Sequence, residues 1–216
     1  MHNEKYSVEE NNRIKQNHAE ASLFLKELQH LLDGKQAALS RPLRVGTMPN
    51  ALVACGAEKD RTVTITKRVI DKAMRQEIRD QYGKLRGRTG HGITKEQLVD
   101  ALMGIKTPVI VFRGKREDSM LIITSVKDNM GRNLAVALDL RREEGFEVVS
   151  SIRSIHGREN VERFIRDSIG EGRLLAINID KTDDMLRSIE KRYLKENTYA
   201  SFDDSIAYSM NSVKYH

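Results

Sequence analysis

Apolar side chains recur at two spacings along this chain, a helical one in the first half and a strand-like one in the second. Within residues 1–34 they return every three or four positions, which predicts an amphipathic helix. Ser7 and Glu10 form a capping-box pattern near its start, and Gly34 is a typical residue at a helix end. The apolar positions of this helix are Ile14, Ala21, Leu25, Leu28, Leu31 and Leu32.

The segment that follows alternates short strands with helices. Pro49 suits the first turn of a short helix, and Thr94 with Gln97 forms a second capping box. β-branched residues indicate strands, and apolar residues at helical spacing indicate helices. The predicted elements are a strand over 43–45, a short helix over 47–56, a strand over 62–66, a basic helix over 67–82 and a helix over 94–104.

The remaining pattern is dominated by strands with short connections. Such short gaps force antiparallel pairing, because a parallel crossover needs about a dozen residues. The predicted elements are strands over 108–112, 119–124, 133–140 and 146–155, then a helix over 160–169, a strand over 173–179 and a helix over 182–195. We therefore predict an α+β fold, in which an antiparallel meander of four to five strands carries helices on one face.

This pattern divides the chain into three parts. Residues 1–34 form the amphipathic helix, residues 35–181 the α+β domain, and residues 182–216 a C-terminal helix and tail. No apolar run approaches the roughly 18 residues that span a bilayer, and the N-terminus is polar. We therefore expect a cytoplasmic protein that does not enter a membrane.

Composition and motifs exclude several function classes. The single cysteine, Cys55, excludes an internal disulfide and a thiolate zinc site. The sequence contains no Walker A loop, dinucleotide-binding GxGxxG, HExxH, EF-hand loop or GxSxG elbow. We therefore expect no metal and no cofactor.

Positive charge is concentrated in one span. The whole chain has a net charge of +6, whereas residues 61–116 contain 14 basic and 5 acidic side chains, a net charge of +9. Such a local excess attracts polyanions such as RNA, although a solvated helix face would show the same composition. Aromatic residues make up only 5% of the chain, which argues against extended base stacking.

His91 lies between two glycines in the stretch GRTGHGITKEQL. One hypothesis is that Gly90 and Gly92 let backbone N–H groups approach a phosphate, at the start of a helix that favours an anion. The alternative is that the glycines only permit a turn and that His91 is a solvated loop residue.

A series of motifs, in order and spacing, resembles a phage domain. The motifs are RVGTMPNALVACGAE, ITKRVIDKAM, GHGITKEQL, TPVIVFRG, DSMLIITSV, NLAVALDL, SSIRSIHGREN and RLLAINIDK. They resemble the MuF C-terminal domain and the related barnase–EndoU–colicin–RelE-like (BECR) nuclease domains of phage polyvalent and toxin proteins, over residues 43–181. The resemblance implies a ribonuclease-like α+β fold. The matching positions are Val45, Gly46, Pro49, Lys72, His91, Pro108, Val111, Phe112, Ser154, Ile155 and Arg158, whereas His156 stands where an aromatic such as Tyr is expected.

Metal-independent RNA cleavage requires a base, an acid and cations around the phosphorane. Histidine can serve as acid or base near neutral pH, and Lys and Arg supply the charge. We predict His91, Ser154 and His156 as catalytic residues, with Ser154 and His156 on one strand face and Arg153 on the other. The predicted phosphate-binding residues are Lys72, Arg88, Lys115 and Arg158.

Two classes of function remain open at this point. The chain is either a mobile-element effector that cleaves RNA, or a non-catalytic module that binds nucleic acid or protein. A phage structural or packaging-associated role belongs to the second class, with the N-terminal helix as the docking element for a protein partner. The sequence does not specify the oligomeric state.

Overall fold

A computed structural model describes residues 19–33, 41–76, 78, 80–82, 90–158, 160–178 and 180–182. Four predictions fall outside these residues: the capping box at Ser7, the helix end at Gly34, the loop residue Arg88, and the C-terminal helix and tail beyond residue 182.

Seven strands form one sheet in the order β1-β2-β6-β5-β4-β3-β7. The strands are β1 (Leu43–Thr47), β2 (Thr62–Ile65), β3 (Ile110–Arg113), β4 (Ser119–Lys127), β5 (Asn133–Glu144), β6 (Glu147–Gly157) and β7 (Leu174–Ile177). The predicted antiparallel meander is confirmed, because β3, β4, β5 and β6 pair in sequence order. The α+β class is confirmed as well.

The strand count is higher than predicted because both edges of the meander are extended. At one edge β7 pairs antiparallel with β3, as the last strand of the domain. At the other edge β2 pairs parallel with β6, and β1 pairs antiparallel with β2. An unpaired strand edge leaves rows of backbone N–H and C=O groups open, and these additions cover them.

In the described part of the chain five helices accompany the sheet, and residues 180–182 are helical as well. The five helices are α1 (residues 19–32), α2 (Asn50–Val53), α3 (Lys67–Met74), α4 (Lys95–Gly104) and α5 (Val161–Gly170). The prediction that α3 continues to residue 82 is wrong, since Arg75 has an extended ψ of 138°. Ile78, which the helical pattern included, is 58% exposed and so does not anchor a longer helix.

The helices cover both faces of the sheet, so the prediction of helices on one face is wrong. Side chains of α1 to α4 share one apolar cluster with alternate strand residues such as Val111, Ile122 and Val136. The intervening residues, such as Ile110 and Phe112, face the other way and pack with Ile165 of α5. The α5 contact includes an edge-to-face pair between Phe112 and Phe164, with ring centroids 5.4 Å apart. The side chains that these strands direct to either face are apolar, which is typical of a sheet covered on both sides.

A β-bulge in β6 changes which face its side chains occupy. Ala137 pairs with Ser154 and Leu138 pairs with Ile152, so Arg153 is the extra residue. Ile152 and Ile155 consequently both belong to the cluster that α1 to α4 cover, although they are three positions apart. Ser154 and His156 then lie on the α5 face of the sheet.

Candidate functional site

His91 and His156 meet at the edge of the sheet where β6 ends. Their ring centroids are 5.4 Å apart, and the ring planes are tilted by 39°. β2 pairs with β6 only as far as Ile152. Beyond that point the chain of β2 turns into α3, which contacts β6. On the side away from β5, the last residues of β6 therefore lie beside α3 and the segment before α4, and no strand of the described chain pairs with them there.

The His91 segment is held to the end of α3 by three backbone hydrogen bonds. The N–H groups of His91, Gly92 and Ile93 donate to carbonyls of Lys72, Arg75 and Ala73, at N···O distances of 3.2, 2.8 and 3.0 Å. Carbonyls at a helix C-terminus have no partner within the helix and need donors from outside it, which these N–H groups supply. The end of α3 thus fixes the position of the imidazole.

The two glycines serve this docking and not the approach of a phosphate. A Cβ atom on Gly90 would overlap the carbonyl of Arg75, and Gly92 has a φ of +62° that favours glycine. The hypothesis that N–H groups at this loop contact a phosphate is wrong for His91 and Gly92, since both donate to α3.

The predicted capping box of α4 is confirmed and links the loop to the turn between β4 and β5. The Thr94 hydroxyl accepts from Gln97 N at 3.2 Å, and the Gln97 side-chain oxygen accepts from Thr94 N at 3.0 Å. The Gln97 amide nitrogen also donates to Lys127 O and to Asn129 Oδ1, at 3.1 and 2.9 Å. Asn129 in turn donates to Gly92 O at 3.4 Å. The His91 segment is therefore held by α3 on one side and by the β4–β5 turn on the other.

The same turn supplies Arg132, which sequence reasoning did not select. Arg132 Nε donates to Asp128 Oδ2 at 2.6 Å, and the side chains are only 10% and 2% exposed. Asp128 Oδ1 accepts from Met130 N and Arg132 N, both at 2.9 Å. A Cβ on Gly157 would overlap the Asp128 carboxylate, so glycine at this position lets the carboxylate lie against the end of β6. A charged pair across a glycine turn is common in solvated loops, so the sequence offered no specific signal.

His156 lies in a cation-rich environment that keeps it neutral. Burial, and then the charges of His91, Arg158, Lys72 and Arg132, lower the pKa of His156 from its ordinary value of 6.5 to about 4. At neutral pH the imidazole therefore carries no charge and has one ring nitrogen available as an acceptor. Lys72 and Arg158, predicted as phosphate-binding residues, lie close enough to His156 to act on it.

Arg158 is positioned by stacking on α5. Its guanidinium carbon lies 3.9 Å from the centroid of the Phe164 ring, a cation–π geometry. Burial, and then the charge of Arg173, lower the pKa of Arg158. Its Nε is buried and has no hydrogen-bond partner among the residues that the structure describes.

Ser154 and Arg153 precede His156 in β6 by two and three positions. Ser154 is opposite Ala137 and His156 opposite Ala135, so the two side chains share a face as predicted. Arg153 Nη1 donates to Asp139 Oδ1 at 2.9 Å. Asp139 lies two residues from Ala137 on β5, on the face of Ser154. The prediction that Arg153 lies on the opposite face is wrong, because the bulge removes the alternation at this residue.

Lys115 lies in the exposed turn between β3 and β4 and is not among the charges that act on His156. It shares with Arg158 the lining of a pocket of about 200 Å³ beside α5. The structure thus groups His91, His156, Lys72 and Arg158, and adds Arg132. Lys115 connects to this group only through Arg158.

Neither a metal cluster nor a membrane span is found in the part of the chain that the structure describes. No three or more His, Cys, Asp or Glu side chains there are arranged to hold a metal ion. No helix there is long and apolar enough to cross a bilayer.

Residues 85–184 match the model of a family described as the phage MuF-C-terminal domain. The match includes α4, the meander, α5 and β7, together with both imidazoles of the site, whereas α3 and Lys72 precede it. This part of the chain is therefore similar to a phage module, and the narrower resemblance to the BECR nucleases gains no support. No curated protein and no solved structure matches the chain.

The docking of the His91 segment predicts that Gly90→Ala destabilises the protein. The added Cβ would overlap the Arg75 backbone, and overpacking of this kind costs about 1–3 kcal/mol. Gly170→Ala is the matched control, since a Cβ there meets nothing within 4 Å. Urea unfolding of both variants measures the difference in the free energy of unfolding. Equal stability of the two variants would contradict the tight contact at Gly90.

The lowered pKa of His156 predicts that stability falls as the pH falls. Between about pH 6.5 and pH 4 the unfolded chain binds a proton at His156 that the folded protein does not, so folding weakens through this window. We expect His156 to contribute a loss of about 1–2 kcal/mol between pH 7 and pH 5, at about 1.4 kcal/mol per pKa unit and allowing for partial exposure.

Urea unfolding at the two pH values tests this expectation. His156→Gln should lose that part of the pH dependence, whereas His30→Gln, on the exposed side of α1, should retain it. An NMR titration that places the pKa of His156 at 6 or above would refute the proposed environment.

Proposed function

We propose that this phage-type module binds RNA at the His91–His156 pair and cleaves it without a metal ion. The observation that carries the proposal is the contact of two imidazoles, with centroids 5.4 Å apart, inside a group of cationic side chains. Acid–base cleavage of RNA requires two proton-transfer groups that reach one phosphodiester together with positive charge at the phosphorus.

The neutral state of His156 assigns it the role of base in this scheme. Its free ring nitrogen accepts the proton of the ribose 2′-OH while O2′ forms a bond to phosphorus. His91, as an imidazolium, gives a proton to O5′ as the P–O5′ bond breaks. The products are a 2′,3′-cyclic phosphate and a 5′-hydroxyl, and the two histidines exchange protonation states. Lys72, Arg132 and Arg158 stabilise the charge on the equatorial oxygens.

Electrostatics support an anion as the ligand of this site. Four positive groups around His156 contribute to lowering its pKa, after burial. A bound phosphate would offset these charges and favour the protonated imidazole, so that phosphate binding and proton uptake are linked. The net charge of +9 over residues 61–116 extends the attraction beyond the site itself.

A structural or packaging-associated role in the phage particle is the second candidate. The family match is compatible with it, because residues 85–184 are similar to a phage domain. Helix α1 also exposes apolar side chains on the side away from the core, with Leu23, Leu25 and Leu32 at 55, 39 and 38% exposure. In this role the cationic group would bind without turnover, and α1 would contact a protein partner.

Cleavage of a 5′-labelled RNA in EDTA tests the first candidate directly. We expect a 2′,3′-cyclic phosphate product and no cleavage of the all-2′-deoxy analogue, since the 2′-OH is the nucleophile. His91→Ala and His156→Ala should each lower the rate by about 10²–10⁴-fold, the usual contribution of a positioned acid or base. His30→Ala on exposed α1 is the control. Salt-dependent RNA binding that survives His91→Ala without any cleavage would instead establish a non-catalytic module.

The linkage between phosphate and protonation gives a second test that needs no turnover. Binding of a 2′-O-methyl RNA should raise the pKa of His156, measured by NMR, from about 4 by one unit or more. Lys72→Ala should raise the pKa of His156 in the free protein, because it removes one of the positive charges. Lys67→Ala is the control on the same helix, since Lys67 already pairs with Asp71 at 2.5 Å. An unchanged pKa in the presence of saturating RNA would place the binding site elsewhere.

A further inference from the structure

We propose that the pocket between the β3–β4 turn and α5 binds the RNA phosphate next to the one at the His91–His156 pair. This inference rests on the proposed function and defines the path of the RNA strand across the α5 face of the sheet. The pocket measures about 200 Å³, and its cationic lining residues are Lys115, Arg158, Arg163 and Arg173.

Among the described residues, two of the cations that line the pocket form no ion pair. Arg163 pairs with Asp167 at 3.7 Å, and Arg173 pairs with Glu171 at 2.6 Å. Lys115 and Arg158 form no ion pair with any residue that the structure describes. Asp167 and Glu171 also line the pocket, but each already pairs with an arginine, so Lys115 and Arg158 are the charges left to attract an anion.

The geometry of Arg158 suits a phosphate in particular. Phe164 covers the face of its guanidinium, with 3.9 Å from the Cζ atom to the ring centroid. A stacked guanidinium keeps its N–H donors in the plane and can bind two phosphate oxygens at once. The buried Nε of Arg158 lacks a hydrogen-bond partner among the described residues, and an anion in the pocket would supply an acceptor beside it.

The size and the position of the pocket both suit a backbone phosphate next to the one at the His91–His156 pair. Pockets for small molecules and cofactors usually measure about 300–1,000 Å³, so this one is too small for a whole nucleotide cofactor. A phosphate with part of its ribose would fit. Arg158 follows His156 by two residues, which span about 7 Å in extended chain, a distance that one nucleotide unit can bridge.

Affinity for a non-cleavable RNA tests the pocket independently of catalysis. The probe is a 2′-O-methyl tetranucleotide, and its binding is followed by fluorescence anisotropy over a range of salt concentrations. Lys115→Ala should weaken binding by about 5–10-fold at low salt and should reduce the slope of log K against log salt by about 0.7, the value for one phosphate contact on a single strand. Lys115→Arg should restore most of the affinity.

Arg116→Ala is the matched control, because Arg116 is exposed in the same turn but does not line the pocket. If Lys115→Ala and Arg116→Ala weaken binding equally, the pocket proposal is overturned. If the wild-type protein cleaves RNA under that outcome, the proposed function still stands. A third outcome is that the wild-type protein does not cleave RNA, while Lys115→Ala, unlike Arg116→Ala, lowers both the affinity for RNA and its dependence on salt. That outcome would support the pocket and refute the catalytic proposal.

Discussion

The hydrogen bonds between the end of α3 and the segment at His91 are the contact on which the site depends. A helix that stops at Met74 leaves carbonyls without partners, and three consecutive N–H groups satisfy carbonyls there. This docking requires glycine at position 90, since any Cβ would overlap Arg75. It also carries an otherwise solvated histidine to the edge of the sheet, next to His156. The requirements of backbone hydrogen bonding therefore determine where the first imidazole lies.

The bulge at Arg153 determines where the second imidazole lies. Without the extra residue, Ile152 and His156 would share a face, and one of them would be misplaced. With it, Ile152 remains in the larger apolar cluster, and His156 faces the side that α5 covers. Because of this one extra residue, the first part of β6 contributes Ile152 to the apolar core and the last part contributes His156 to the candidate site. Bulges often occur beside functional sites for this reason.

Local signals in the sequence predicted most of the local structure, whereas the end of α3 at Met74, the bulge at Arg153 and the contacts between distant segments were missed. The capping box at Thr94 and the meander follow from residue types and short connections, and both are confirmed. The parallel pairing of β2 with β6 joins residues 87 positions apart, such as Val63 and Ser150, and the periodicity of the sequence carries no signal for it. The placement of α5 on the second face likewise depends on apolar residues that several strands contribute to that face together. Of the site, residue types suggested the imidazoles and most of the cations, but Arg132 required the turn geometry.

The balance of charge around His156 bears on whether the cluster is structural or binds a ligand. A histidine that only stabilises a fold is best served by a hydrogen-bonding partner of opposite charge, which raises its pKa. Here burial, and then the charges of His91, Arg158, Lys72 and Arg132, lower the pKa of His156 to about 4, and no carboxylate is among the groups that act on it. Arg132 is neutralised by Asp128, but Arg158 has no carboxylate partner in the described chain. Keeping uncompensated positive charge beside a buried imidazole costs stability, and that cost is offset when an anion occupies the site. This balance of charge is the reason why we propose a phosphate-bearing ligand and not a purely structural pair of histidines.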